Sequence, residues 1–357
     1  MARQRFSKFV RPQEVDRGQI SDRDLDILTT ILRCRFCSAA QIVRLVGGNE
    51  DVTHRRLRRL WEWELINRWA FPGLRSHSEF YYYLDNRASL NILAERRGLE
   101  IRAEMLEEIR NNREKDYANA AARGQHMQLG FLQHNLMISR MHCVLQLACS
   151  QSGSRVQLES WFQGSALQGH KVEVPKVRSS RDRGEYFWQE SNDTDRLPVE
   201  PDALFTLRFR DRPQDEQLIH FCYEADRGTM TTTDMLRKFR AYYHFIKKQQ
   251  RHRECFGVHP IRAVLIETTH EPRGRQLMQL VNHPLVVGPN RRSGLFWFSI
   301  SPLLAEPIAP RENKRPLPRY LEQPEVIFDS IWALPDLTMR RLGSANNVKV
   351  KSPTILL

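Results

Sequence analysis

The chain has 357 residues, long enough for two domains with sizeable cores. Lys and Arg outnumber Asp and Glu by 55 to 42, a formal charge of +13, which favours a polyanionic partner: nucleic acid first, an anionic membrane surface second. No apolar run approaches the ~18 residues a membrane span requires, and no apolar segment follows the basic N-terminus, so neither a spanning helix nor a secretory signal is expected, and the cytoplasm is the expected compartment.

Residues 1–20 are basic and unpatterned, the composition of a flexible arm. Residues 21–94 carry a compact pattern. Ser21 precedes Asp22, Asp24 and the apolar series Leu25, Leu28, Ile31 and Leu32, which predicts an N-cap followed by an amphipathic helix. Ser38 starts a second helix, Ala39 to Leu45, and Gly47-Gly48 stops it. A third runs from Val52 to Glu64. Asn67 to Phe71 and Glu79 to Leu84 then predict two strands about the turn Pro72-Gly73. Three helices followed by a two-stranded wing is the order of a winged helix-turn-helix.

At 100° per residue, Leu57, Leu60, Trp61 and Leu65 share one face of the third helix and are expected to pack inward. Arg55, Arg58 and Arg59 fall on the opposite face, with Arg56 at the flank. An exposed face of this kind suits phosphate contact and bidentate readout of guanine in double-stranded DNA. The plainer reading is a solvated basic face. Tyr81, Tyr82 and Tyr83 on a strand are expected to pack alternately in and out, not to serve as nucleophiles. Cys34-Arg-Phe-Cys37 is a lone CxxC without a second pair, and the six cysteines read as reduced core thiols.

Residues 95–125 alternate acids and bases at helical spacing and are expected to form a charged helical connector. Residues 126–301 read as one α/β domain. Leu129 to Cys149 is a helix without Asp or Glu, Val156 to Phe162 a strand, and Gln163 to Leu197 a polar, loop-rich excursion. Ala203 to Phe209 and Leu218 to Tyr223 form an antiparallel hairpin about RDRPQDEQ. In Thr231 to Lys248, Met235, Phe239, Tyr242 and Ile246 keep helical step, and Ile261 to Ile266 is a buried strand. A strand, crossover helix, strand sequence requires this last strand to run parallel to Leu218–Asp226. Residues 302–357 read as a proline-rich irregular tail.

The hairpin gathers acids. With Phe209 opposite Leu218, Asp202 falls opposite the stretch Tyr223 to Asp226, and Glu224 and Asp226 share one strand face. Three carboxylates at one sheet end suit a hard cation, Mg²⁺ or Mn²⁺. The alternative is a solvated strand end with a few acids. Lys238, about one turn into the next helix, is close enough to reach back, and is equally readable as a solvated helix lysine.

The order helix, strand, strand with Pro201-Asp202, strand with Glu224-x-Asp226, helix, strand resembles the PD-(D/E)XK nuclease core. The segments ISDRDLDIL, RCRFCSAAQIVRL, RRLRRLWEWELINR, YYYLDNRASLNIL, QHNLMIS, PDALFTL, YEADRGTM and LRKFRAYY, in that order over roughly residues 20 to 250, resemble the replication-relaxation family of plasmid and mobile-element proteins. The resemblance implies a winged-helix DNA-binding module joined to a restriction-endonuclease-like mixed-sheet α/β domain. It also implies a role in plasmid replication and DNA relaxation, other replication or mobilisation proteins as partners, and Asp202 and Glu224 at the metal positions. Two departures stand out. Asp226 occupies the place of the nuclease lysine, and the first helix offers His134 where a glutamate often stands.

Two functions remain open at this level. One is a metal-dependent DNA endonuclease using Asp202, Glu224, Asp226 and Lys238. The other is a catalytically inactive, sequence-specific DNA-binding regulator of plasmid maintenance. No His-hydrophobic-His triplet supports a relaxase, and no GxxxxGK[ST] loop supports an ATPase.

Overall fold

The computed structural model describes residues 11–12, 18–70, 80–115, 126–182, 185–289, 291–307 and 316–343. The chain divides into two compact units, Met1–Cys143 and Val144–Leu357.

In the first unit the helix boundaries follow from side-chain caps. Ser21 accepts from the Asp24 backbone N–H, and the Asp24 carboxylate accepts from the Ser21 N–H at 2.7 Å, a capping box that starts α1 (Asp22–Cys34). Ser38 and Gln41 repeat the arrangement at α2 (Ala39–Val46), after the short strand β1 (Cys37–Ser38). Gly47 ends α2 at φ +71°, a conformation open to glycine at little cost. The third helix, α3 (Glu50–Glu62), begins two residues earlier than the apolar pattern predicts. Asn49 is its N-cap, accepting from Val52 N–H at 3.0 Å, and Glu50 and Asp51 complement the helix dipole. Strands β2 (Asn67–Trp69) and β3 (Tyr81–Tyr83) pair antiparallel, and β1 joins them in the order β1-β3-β2. The predicted Pro72-Gly73 turn lies outside the described residues. Tyr82 and Tyr83 are buried and Tyr81 is half-buried, as packing residues should be.

The expected charged connector, residues 95–125, is helical over most of its described length and packs into the core of the first unit, and residues 116–125 lie outside the described residues. It opens within α4 (Arg87–Arg97), turns at Gly98 and continues as α5 (Ala103–Lys115). Leu90, Leu93 and Ile109 enter the same core as Leu25, Leu28, Ile31, Leu57, Leu60 and Trp61, and Asn112 Nδ2 donates to Leu84 O at 2.8 Å. One apolar residue per turn is enough to dock such a helix and too few to stand out among so many charges. The long α6 (His126–Gln151) follows. Its Leu132 packs with Phe36, Trp69 and Tyr83.

The second unit is built on a mixed sheet. Its strands are β4 (Val156–Gln163), β7 (Ala203–Phe209), β8 (Leu218–Asp226), β9 (Ile261–Thr268), β10 (Phe296–Ile300), β11 (Trp332–Ala333) and β12 (Met339–Arg340), the sheet order being β12-β11-β10-β9-β8-β7-β4. β8, β9 and β10 are mutually parallel, as the crossover helix requires, while β7 runs antiparallel to β4 and β8. Between β4 and β7 the expected loop-rich excursion is a long hairpin, β5 (Lys171–Asp182) paired with β6 (Glu185–Pro198). Val172, Val174 and Leu197 turn into the core at every second residue or opposite one another, and the polar residues between them hide the pattern. Part of the expected irregular tail is sheet: Trp332, Ala333 and Met339 are buried in β11 and β12.

Two helices, α7 (Thr232–Tyr243) and α9 (Glu271–Val281), cover one face; the five-residue α8 (His252–Phe256) lies between them in the chain. Met235, Phe239, Tyr242 and Leu277 pack there with Leu204, Cys222, Ile266, Phe296 and Phe298. The other face carries a row of rings: Trp161 to Phe205 at 5.6 Å, Phe205 to Phe221 at 5.3 Å and Phe221 to Trp297 at 6.1 Å between centroids.

Candidate active site and nucleic-acid interface

The acids lie at one end of β7 and β8, on the face that α7 covers. Ala203 pairs with Tyr223 and Arg208 with Leu218, one residue away from the expected register. One further step along this ladder sets Asp202 opposite Glu224. Side chains alternate across a sheet, so a one-residue slip decides which face a carboxylate takes. Asp202 Oδ2 accepts the Ala225 backbone N–H at 2.8 Å.

Glu224 is buried, and both of its oxygens are engaged from α7. Lys238 Nζ donates to Oε2 and Tyr242 OH donates to Oε1. Lys238 and Tyr242 are four apart, so they share a helix face one turn from each other. Thr231 fixes where that helix starts, accepting from Asp234 N–H at 3.2 Å, and buried Met235 and Phe239 fix its rotation on the sheet. Burial, reinforced by the Asp202 charge, pushes the Glu224 carboxyl up to about 7 although Lys238 and Tyr242 act in the other direction. Burial also works against the Lys238 ammonium. The Glu224, Asp202 and Asp226 charges outweigh it and hold Lys238 above the usual lysine value. Of the pair, the carboxyl is the partner that takes up a proton first.

Asp226 shares the strand face but has another partner. Arg273 on α9 reaches it through two hydrogen bonds, Nε to Oδ2 at 2.8 Å and Nη2 to Oδ1 at 3.2 Å, and Nη2 also donates to Met230 O at 3.0 Å. This buried, bidentate pair occupies the oxygens expected to serve as a third metal ligand. Nothing in the sequence singled out Arg273, because the pairing spans 47 residues and its helix had no strong pattern. Glu159 lies on β4, exposed, paired with Arg208 at 2.8 Å. His134 belongs to the first unit and is half-buried.

Among the described residues no group of three or more His, Cys, Asp or Glu is arranged to hold a metal. Asp202 and Glu224 bring two hard oxygen donors to this strand end, where Lys238 and Tyr242 hold the Glu224 oxygens and the Ala225 N–H holds Asp202 Oδ2. Mg²⁺ is commonly held by one or two carboxylates, with waters and substrate phosphates completing its shell. The donor chemistry of this pair fits such a cation, with Lys238 as the adjacent compensating charge.

On α3, Arg55, Arg58 and Arg59 are exposed, and Arg58 Nε donates to Glu62 at 2.8 Å one turn on. Leu57, Leu60 and Trp61 are buried, as expected. Arg56 is not offered to a partner in the same way. It forms an ion pair with the fully buried Asp24 and lies 5.5 Å from the Trp63 ring centroid. Its guanidinium fastens α3 to α1. Arg56→Ala is therefore expected to destabilise the protein by about 3–5 kcal/mol, because it strands a buried charge, whereas Arg55→Ala should stay within about 0.5 kcal/mol. Urea unfolding of the two variants checks the contrast; equal stabilities would contradict it.

All six cysteines are thiols. Cys34 and Cys37 are buried; a hydrogen bond from Cys37, with His142 nearby, brings the Cys34 thiol down to about 5 against its burial, while burial holds Cys37 well above its ordinary value.

A family model described as replication-relaxation matches residues 28–260. No match was found among curated proteins or among solved structures. No helix among the described residues is long and apolar enough to cross a membrane.

Proposed function

Because this chain belongs to the replication-relaxation family, we propose that it acts on plasmid or mobile-element DNA, with a winged-helix unit that binds the duplex and a PD-(D/E)XK-like unit that nicks or cleaves it with Mg²⁺ or Mn²⁺. The observation that carries the catalytic part is the contact between Lys238 Nζ and Glu224 Oε2 beside Asp202. It supplies from a helix the lysine that the strand motif lacks at Asp226. Asp202 and Glu224 would hold the cation. When bound, the metal supplies Lewis-acid polarisation of the scissile phosphate and a more acidic water. Lys238 would offset the charge of the carboxylates and orient the attacking water. Tyr242 would fix the orientation of the Glu224 carboxylate through its hydrogen bond to Oε1. With the β5–β6 hairpin and the short α8 set aside, the element order supports the same reading: α6, β4, β7 with Asp202 just before it, β8 with Glu224, α7 and the parallel strand β9.

The binding part rests on the exposed arginines of α3. Arg55, Arg58 and Arg59 changed together to alanine should flatten the slope of log affinity against log salt by roughly 2.7, at about 0.9 per lost phosphate contact. Fluorescence anisotropy with duplex DNA at several salt concentrations measures this. An unchanged slope and affinity would remove α3 from the interface.

A second reading has an observation of its own. Glu224 and Asp226 are each engaged at both oxygens by protein groups. A nuclease-like unit retained only for DNA binding, in a regulator of plasmid maintenance, would tolerate that closure permanently.

A further inference from the structure

Residues 247–253 contain Lys247, Lys248, Arg251 and Arg253 and no acid. They span the end of the π-helical turn His244–Lys248 that extends α7 and the start of α8. Lys247, Lys248 and Arg253 are exposed and Arg251 is half-buried. Elsewhere in this unit Arg208, Arg240 and Arg273 are matched to Glu159, Glu190 and Asp226. Among the described residues none of the four cations in the run forms an ion pair with a carboxylate.

The fold holds these cations in place. Arg251 Nη1 donates to Lys171 O at 2.6 Å and Gln249 Nε2 to Glu173 O at 2.7 Å, which brings the exposed Lys171 of β5 beside the run. Glu173 itself faces Arg196 at 4.0 Å. Arg253 Nη2 lies 2.6 Å from His259 Nε2, and His259 Nδ1 lies 3.1 Å from Nε2 of the buried His252. An arginine can only donate, so His259 Nε2 accepts, and the His259 proton sits on Nδ1 and is donated to His252. Burial and the neighbouring Arg262 charge both hold Lys247 below the ordinary lysine value. Cations gathered in this way repel one another. A polyanion relieves that repulsion, and guanidinium groups already held by the protein lose little freedom when it binds.

The run leads through α8 into β9, whose first residue, Ile261, pairs with His220 of β8. Asp226 lies six residues further along β8, ~20 Å at ~3.3 Å per residue. A duplex covers that distance in about six base pairs.

We infer that Lys247, Lys248, Arg251 and Arg253 form a phosphate-binding patch on the second unit, which grips the DNA duplex at a distance from the Asp202–Glu224 site. The inference rests on the reading of this unit as DNA-cleaving. A phosphodiester backbone is favoured over an anionic membrane because interfacial binding adds an apolar face to its basic residues. None of the large exposed hydrophobic residues, Phe131, Phe162, Leu218, Met230 and Leu337, falls within residues 247–259. Backbone contacts of this kind add affinity without sequence information.

The test uses the full chain carrying K247A/K248A/R253A, with R55A/R59A for comparison. Fluorescence anisotropy with a labelled duplex at several salt concentrations is the readout, and thermal melting confirms that each variant folds. The patch variant should lose roughly 2.7 from the magnitude of the log–log salt slope, at about 0.9 per contact, with weaker binding to every duplex sequence tried. Should the loss of Arg253 unfold the chain, K247A/K248A, altered only at exposed positions, should lose roughly 1.8. An unchanged slope in the patch variants, with a reduced slope in R55A/R59A, overturns the patch and leaves duplex binding by α3 standing. Plasmid nicking by the unaltered protein alongside that result leaves the cleavage reading standing too. No duplex binding by the unaltered protein overturns both. Binding of the unaltered protein to phosphatidylserine vesicles that K247A/K248A/R253A loses, with its duplex slope unchanged, assigns the patch to membranes and overturns the inference.

Discussion

At pH 8, Lys238→Ala is expected to lower the unfolding free energy by about 3–5 kcal/mol, the cost of leaving a buried carboxylate without its cation. Glu224 is almost fully buried and Lys238 is only a quarter exposed at its side chain, so solvent screens the pair little. The deficit should depend on pH. A carboxyl whose folded pKa is raised contributes fully below its unfolded value, near 4.5, and loses that contribution as pH rises through its folded value, here about 7. Removing Lys238 takes away a charge that holds Glu224 down, so the folded value rises further and the loss on going to pH 8 grows. At pH 5 the carboxyl is protonated in the variant and the deficit shrinks. Urea unfolding at pH 5 and pH 8 measures both. A deficit independent of pH would show that Lys238 acts by packing alone. If Asp202 and Glu224 hold Mg²⁺ as proposed, the ion should raise the stability of the unaltered protein by mass action on the folded state and do less for Asp202→Asn with Glu224→Gln.

Trp61→Ala should cost the first unit a similar amount by a different mechanism. Trp61 is 6 % exposed in the core with Leu57 and Leu60, and the Arg68 guanidinium stacks 3.6 Å from its ring centroid. Truncation leaves a cavity and strips both Arg68 and Arg11 of a cation–π surface. Cavity formation at a tryptophan costs about 3–5 kcal/mol. At about 4–8 °C per kcal/mol for a domain of ~100 residues, the melting transition of this unit should fall by more than ~10 °C. Differential scanning calorimetry reads the shift. An unchanged transition with weaker DNA binding would move Trp61 from the core to the interface.

The elements legible in the sequence are those whose signals are local. Ser21 and Ser38 mark helix starts because a cap needs only the next three residues, and Gly47 marks a stop through its positive φ. β7 matches its predicted span and β8 its fuller one, because continuous apolar runs bounded by turn residues admit little else. The parallel pairing of β8 with β9 followed from chain connectivity. What was hidden depends on distant partners. The β5–β6 hairpin reads as polar because only one side of each strand is buried. α5 reads as a connector because its few apolar residues, Ile109 among them, are set between charges. The role of Arg56 is set by Asp24, 32 residues earlier, and that of Asp226 by Arg273, 47 residues later; neither leaves a mark in local periodicity. Lys238 stands between these cases. Its distance from Glu224 along the chain made the contact reachable, and the caps and apolar step of α7 bring it about.

The central claim is that Asp202, Glu224 and Lys238 form a metal-dependent phosphodiester-cleaving site, and supercoiled plasmid tests it most directly. Incubated with the unaltered protein and Mg²⁺ or Mn²⁺, the plasmid should pass to open-circular form, with none formed in EDTA. Asp202→Asn and Lys238→Ala should each abolish the nicking while duplex binding through α3 persists. Nicking that survives in both variants would put the cutting site elsewhere, and binding without nicking under either metal would leave the unit a nuclease-like fold used only to hold DNA.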